Sequence, residues 1–184
     1  MIIFFGLAGA GKSVQGQILA ARYGWRWLSA GQLLRDTNDH DLIAQMQTGK
    51  LVPISVIKAV MKKALLSAKD IDKVVLDGYP RELSQAKWLI EAEPEHERSI
   101  SMIIVLEVPK HEILRRLHVR GRADDVPDAI ETRLQSYRHE IYPILDYFSD
   151  MKIPIVHLDG TGTVGQVHDR IQSELVSHGI VTSG

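Results

Sequence analysis

Cysteine is missing from all 184 residues. Its absence excludes disulfides, a thiolate nucleophile and thiolate zinc sites, and it fits a reducing compartment. Neither sign of charge is in excess: 22 Lys and Arg stand against 23 Asp and Glu, which argues against general affinity for nucleic acid or for an anionic membrane. No apolar run approaches the ~18 residues that cross a bilayer. The apolar start at Ile2 has no basic flank and reads as a strand, not a signal peptide. Repeats and low-complexity tracts are also lacking, and the eight histidines show no metal-ligand spacing. Trp25, Trp27 and Trp88 fall at element edges and read as packing residues. These exclusions leave one ordinary globular domain, expected in the cytoplasm.

What is present begins at Gly6-Leu7-Ala8-Gly9-Ala10-Gly11-Lys12-Ser13, with the spacing G-x-x-x-x-G-K-S. An apolar run, Ile2–Phe5, precedes it, and a helix-forming segment to about Tyr23 follows. Strand, glycine loop and helix in that order turn backbone N–H groups toward a polyphosphate at a helix N-terminus. Gly9 and Gly11 allow close backbone approach. Lys12 can neutralise the outer phosphate oxygens, and the Ser13 hydroxyl can reach Mg²⁺. The motif therefore implies a nucleoside triphosphate as ligand.

Strands and helices then alternate. Strands are expected at Trp25–Ser29, Val74–Asp77, Ile100–Val108 and Ile153–Leu158. Helices are expected from Gln32, over about Leu42–Gln47, Ile54–Ala68, Glu82–Ile90, Lys110–Val119, Pro127–Phe148 and Val164–Val176. A polar loop is expected from Ile90 to Ser99, and a charged one over Arg120–Asp125. The strands are rich in Ile, Val and Leu, as for strands buried on both faces of a parallel sheet. The fold class is α/β: a doubly wound, five-stranded parallel sheet carrying a phosphate loop.

Two further features carry chemistry. Asp77 ends a strand of the form apolar-apolar-apolar-Asp, the position that holds Mg²⁺ in phosphate-loop proteins. Arginines gather near element ends, at Arg35, Arg81, Arg116, Arg120, Arg122 and Arg133. In a chain of net charge −1, such clustering suits the binding of two anionic substrates, since the guanidinium fork holds phosphate oxygens in pairs. Arg115 reads as a solvated side chain. Asp124-Asp125 is expected to steady the basic segment through exposed ion pairs, each contributing only ~0–1 kcal/mol.

Together these motifs resemble the adenylate kinase family of nucleoside monophosphate kinases, in the family's order and over nearly the whole chain. The resemblance rests on the phosphate loop, on Leu28-Ser29-Ala30-Gly31-Gln32-Leu33-Leu34-Arg35, and on Gly49-Lys50-Leu51-Val52-Pro53. It rests also on Leu76-Asp77-Gly78-Tyr79-Pro80-Arg81 with Gln85-Ala86, and on Gly121-Arg122-Ala123-Asp124-Asp125 followed by Arg133. It implies one kinase domain over 1–184. Its core would be 1–28, 73–118 and 127–184, with a helical acceptor-binding insert at about 29–68 and a very short lid at about 119–126. It implies reversible transfer of the γ-phosphoryl group of Mg·ATP to a nucleoside monophosphate, without a covalent intermediate, by a monomer.

Position by position, Gly9, Ala10, Gly11, Lys12, Ser13 and Val14 would cradle the donor phosphates, with Ser13 and Asp77 toward the metal. Arg116 and Gly162 would flank the donor adenine, and Arg120 would meet donor phosphates. Arg35 and Arg81 would hold the acceptor phosphate. Ala30, Lys50, Val52, Gly78 and Gln85 would border the acceptor, with Lys50–Val52 and Gln85 reading its base. Arg122 and Arg133 would bridge both substrates. Lys12, Arg81, Arg120, Arg122 and Arg133 form the catalytic set.

The chain also departs from the pattern. Ala8 replaces the usual loop proline, Ser13-Val14 replaces Gly-Thr, Gln32 stands where Asp is usual, and one residue separates Arg120 from Arg122. Without cysteine the lid is not of the zinc type. Ala30 matches pyrimidine kinases, whereas Gln85 matches the adenylate form and favours AMP. A CMP or UMP kinase, and a nucleotide-binding protein with weakened catalysis, remain the alternatives.

Overall fold

Five short strands form one parallel sheet in the order β2-β3-β1-β4-β5. They are β1 (Ile2–Phe5), β2 (Arg26–Ser29), β3 (Val74–Asp77), β4 (Met102–Glu107) and β5 (Ile155–Asp159). The computed structural model describes residues 1–48, 51–121 and 125–182. Lys50, Arg122 and Asp124, to which the sequence assigned roles, lie outside the described residues.

The side chains of β1 explain why the sheet is covered twice. Ile3 and Phe5 point into one core and Ile2 and Phe4 into the other, as the two-residue period of a strand requires. On the first face pack α2 (Ala30–Arg35), α4 (Ile54–Ser67), α5 (Leu83–Glu91) and the C-terminal half of α8 (Pro127–Asp150). On the second pack α1 (Lys12–Tyr23), α7 (Lys110–Arg120) and α9 (Val164–Ser177). Burial on both faces holds for β1, β3 and nearly all of β4, but not for β2 and β5. Those two close the edges of the sheet, so each leaves part of its surface to solvent.

Local signals set most helix ends. Gly24 terminates α1 in a left-handed conformation. The Ser29 side chain caps α2. Asp39 accepts from the backbone N–H groups of Asp41 and Leu42, so α3 (His40–Gln47) starts two residues before the expected point. In α4, Ile57, Met61, Ala64 and Leu65 face the core at the helical period. The expected polar loop before Ser99 contains one helical turn, α6 (Glu93–His96), opened by a proline and turning the His96 ring inward to Leu89 O at 3.2 Å. Thr163 and Gln166 form a reciprocal capping box at the start of α9.

Register decides where the chemistry gathers. Phe4 and Ser29 both lie opposite Asp77, Phe5 lies opposite Val105, and Glu107 opposite Asp159. All five strands thus end on one edge. The chain runs from β1 to the outer strand β2 on one side, back to β3, and then across β1 to β4 on the other, so loops at that edge diverge and open a crevice.

Candidate active site

The crevice is a cavity of about 460 Å³, within the usual size of a ligand site. Every described residue to which the sequence assigned a binding role lines it. The loop between β1 and α1 forms its floor. Gly11 caps α1 at φ +102°, and Gly9 sits at φ +87°. A Cβ at Gly9 would lie 3.2 Å from the Leu117 side chain, whereas one at Gly11 would meet nothing within 4 Å. Gly9 is therefore required by packing and by conformation, Gly11 by conformation alone. Ala10 is buried beneath the loop, and Val14 borders the cavity half exposed.

Lys12 Nζ bridges the loop, donating to Gly6 O at 2.7 Å and Leu7 O at 3.0 Å. Burial pushes its ammonium down to about 8. The Asp77 carboxylate pulls it back up, while Arg81 and Arg120 push in the same direction as burial. Ser13 Oγ donates to Asp77 Oδ2 at 2.5 Å, joining the start of α1 to the end of β3. Oxygen is the donor atom on both, as a hard divalent cation requires.

At one end of the cavity, Arg116 ties two loops together. Its Nη1 donates to Ala10 O at 3.4 Å and its Nη2 to Gly160 O at 3.0 Å, while its Nε donates to Glu112 Oε1 at 2.7 Å. Glu112 also takes two bonds from Arg115, which lines the cavity rather than standing wholly in solvent. Hydrogen bonds from Arg115 and then Arg116 hold the Glu112 carboxyl down to about 2. The backbone of Gly162 and the cap residue Thr163 complete this end.

The other end is formed by α2, α3, α4 and the turn after β3. Ala30 and Val52 line it beside Gly78. Arg35 Nη2 donates to Gln32 Oε1 at 3.2 Å. The backbone N–H of Arg81 donates to Gln85 Oε1 at 2.9 Å, and Gln85 Nε2 donates to Glu82 at 3.1 Å. Arg133, on α8, reaches Met46 O of α3 at 3.3 Å.

One expectation is corrected. Asp125 was expected to make exposed ion pairs, but its side chain is 1% exposed. Arg120 Nε donates to it at 2.7 Å and Arg133 stands at 3.8 Å. Arg120 at the end of α7 and Arg133 on α8 flank the covered carboxylate, so removing one partner costs more than breaking a surface pair.

Other lining residues escaped the motifs. Met46 and Ile57 join Leu51, which the motif after Lys50 had already included, in an apolar wall at the acceptor end; the helical period at Ile57 indicated core only. Gln15 lies buried on α1, donating to Val164 O at 2.9 Å, and its Oε1 lies 3.2 Å from His168 Nδ1. No local pattern marks that link, since Gln15 and His168 are 153 residues apart. The spacing of Glu112 and Arg116, four residues on one helix, is a signal that could have been read.

A family model described as adenylate kinase matches residues 4–153. The chain is 32% identical to an adenylate kinase of Porphyromonas gingivalis over 184 aligned positions, covering 92% of each protein. It is 33% identical to an adenylate kinase of Thermus thermophilus, covering 95% of this chain and 96% of that one. It is 35% identical to an adenylate kinase of Mycolicibacterium vanbaalenii, covering 92% and 95%.

Proposed function

The chain belongs to the adenylate kinase family, and from that premise we propose that it transfers the γ-phosphoryl group of Mg·ATP to AMP, reversibly, giving two ADP. The observation that carries this reading is the single cavity with cations at both ends. The Lys12 loop forms the floor, with Arg116 at one end and the Arg35, Arg81 and Gln85 group at the other. A module that only bound ATP would have no need of the second group.

The donor phosphates take the backbone N–H groups of residues 9–14, with Arg120 beside them. The donor adenine lies between Arg116 and the Gly162 backbone. Lys12 exchanges its bonds to Gly6 O and Leu7 O for the oxygens of the transferred group, whose negative charge favours the ammonium. Ser13 and Asp77, an all-oxygen pair, fit Mg²⁺ and would hold it. Mg²⁺ supplies neutralisation of phosphate charge. Arg35 and Arg81 bind the acceptor phosphate, and Gln85 reads the acceptor base, with Ala30, Val52 and Gly78 around it. Arg133 spans the two substrates; Lys50 and Arg122 join these groups on resemblance. Catalysis is then positioning and charge stabilisation by Lys12 and the arginines, with no covalent intermediate. Residues 29–68 act as the acceptor-binding insert and 119–126 as a short lid over a monomer in the cytoplasm. No helix among the described residues is long and apolar enough to cross a membrane.

The test is ADP formation from Mg·ATP with AMP, CMP, UMP, dAMP or GMP. AMP is expected to be the fastest acceptor, and Lys12→Met to lower kcat by ~10²-fold or more, the scale of losing one charge-stabilising donor. Preference for CMP or UMP would overturn the acceptor assignment. ATP binding without turnover on any acceptor would overturn the kinase reading.

A further inference from the structure

Gln85 is 3% exposed yet lines the acceptor end of the cavity. Its amide has two neighbours of fixed polarity. The Arg81 backbone N–H can only donate, and it donates to Oε1 at 2.9 Å. The ionised carboxylate of Glu82 can only accept, and it accepts from Nε2 at 3.1 Å. Turning the amide over would set N–H against N–H and oxygen against carboxylate. Both bonds would be lost and replaced by repulsion, so the two neighbours hold the amide one way round. Each end keeps spare capacity: Oε1 retains a lone pair, and Nε2 retains an N–H.

That orientation is a filter on the acceptor base. Adenine presents an amine donor beside a ring-nitrogen acceptor, which matches a fixed oxygen beside a fixed N–H. Hypoxanthine and guanine present a carbonyl oxygen beside a ring N–H and match only the inverted amide. We propose that Glu82 is a specificity-determining positioning residue, which locks the Gln85 amide in the orientation that admits 6-amino purines and rejects 6-oxo purines. The proposal rests on Gln85 reading the acceptor base, as above. Cytosine carries the same amine and ring-nitrogen pair as adenine, and uracil the opposite pair. The lock therefore also ranks CMP above UMP.

The experiment compares kcat/KM for AMP and IMP, which differ at the base edge only, and competition of IMP against AMP as a binding readout. The parent is measured with Glu82→Gln and Gln85→Leu. Gln at 82 keeps the size and can either accept or donate, so only the Arg81 backbone N–H still opposes inversion of the Gln85 amide. The expected result is a fall of about tenfold or more in the AMP-to-IMP ratio for Glu82→Gln, the scale of one hydrogen bond between alternatives. Most of the change comes from a gain on IMP, with the KM for ATP unmoved. Gln85→Leu should collapse the ratio by losing AMP instead. If Gln85→Leu lowers the ratio and Glu82→Gln does not, the lock is overturned and the base-reading role of Gln85 stands. If neither moves it, the reading of Gln85 fails and the lock with it. A uniform loss on both acceptors in Glu82→Gln, with the ratio intact, marks a merely structural role and also overturns the proposal.

Discussion

Replacing Gly9 and Gly11 with alanine separates two demands on the nucleotide loop. At Gly11, φ is +102° and an added Cβ meets no heavy atom within 4 Å. Gly11→Ala should therefore show only the cost of a left-handed conformation, about 1–2 kcal/mol. At Gly9, φ is +87° and the Cβ falls 3.2 Å from Leu117 Cγ and Cδ2 and 3.4 Å from Ile113 O. Leu117 is 1% exposed on α7 and has little room to yield, so overpacking adds about 1–3 kcal/mol. For a chain of this size each kcal/mol moves Tm by about 2–4 °C. Gly11→Ala should lose roughly 2–8 °C and Gly9→Ala clearly more, read by thermal unfolding without nucleotide. The contact part is isolated by adding Leu117→Ala. That change should cost about 1 kcal/mol less in the Gly9→Ala background than in the parent, and no less in the Gly11→Ala background. Equal losses at the two glycines, or zero coupling between Gly9 and Leu117, would refute the argument.

Two other outcomes follow from the charges. Asp125→Asn leaves Arg120 and Arg133 without a covered anion between them. It should cost about 2 kcal/mol in urea unfolding, less than the 3–5 for a fully enclosed pair; a loss under about 0.5 kcal/mol would return Asp125 to an ordinary surface role. Glu112 is held down to about 2 from 4.5 by Arg115 and Arg116. Its contribution is therefore complete above pH 4.5 and lost as pH falls toward 2. Glu112→Gln should melt below the parent at pH 6, with the gap closing between pH 4.5 and 2; a gap independent of pH would deny the linkage.

The readable parts of the site were those in which function demands a local arrangement. The glycine loop, its flanking strand and helix, the strand-end Asp77 and the turn from Gly78 to Gln85 each occupy a dozen residues or fewer. The arginines could be picked out because a chain with nearly balanced charge concentrated them near element ends. Less visible were residues whose part depends on what packs beside them. Asp125 looked exposed because a sequence shows a neighbour such as Arg120 but not the approach of Arg133 from α8. Edge exposure in β5 was hidden for a similar reason, since Ile155 and Val156 read the same at the centre of a sheet as at its rim; in β2 the polar Arg26 and Ser29 were a legible sign of it.

The sequence by itself determined the alternation of strand and helix, the loop that must turn at Gly9 and Gly11, and the residue types able to meet phosphate. These follow from backbone sterics, side-chain period and charge, all of which act over a few residues. Tertiary structure alone decided which distant groups meet. The strand order and register bring Ser13 to Asp77 across 64 residues, Arg116 to Gly160 across 44, and Arg133 to Met46 across 87. Such pairs depend on how helices settle on a twisted sheet, where the free energy is spread over two whole cores and no short segment encodes it.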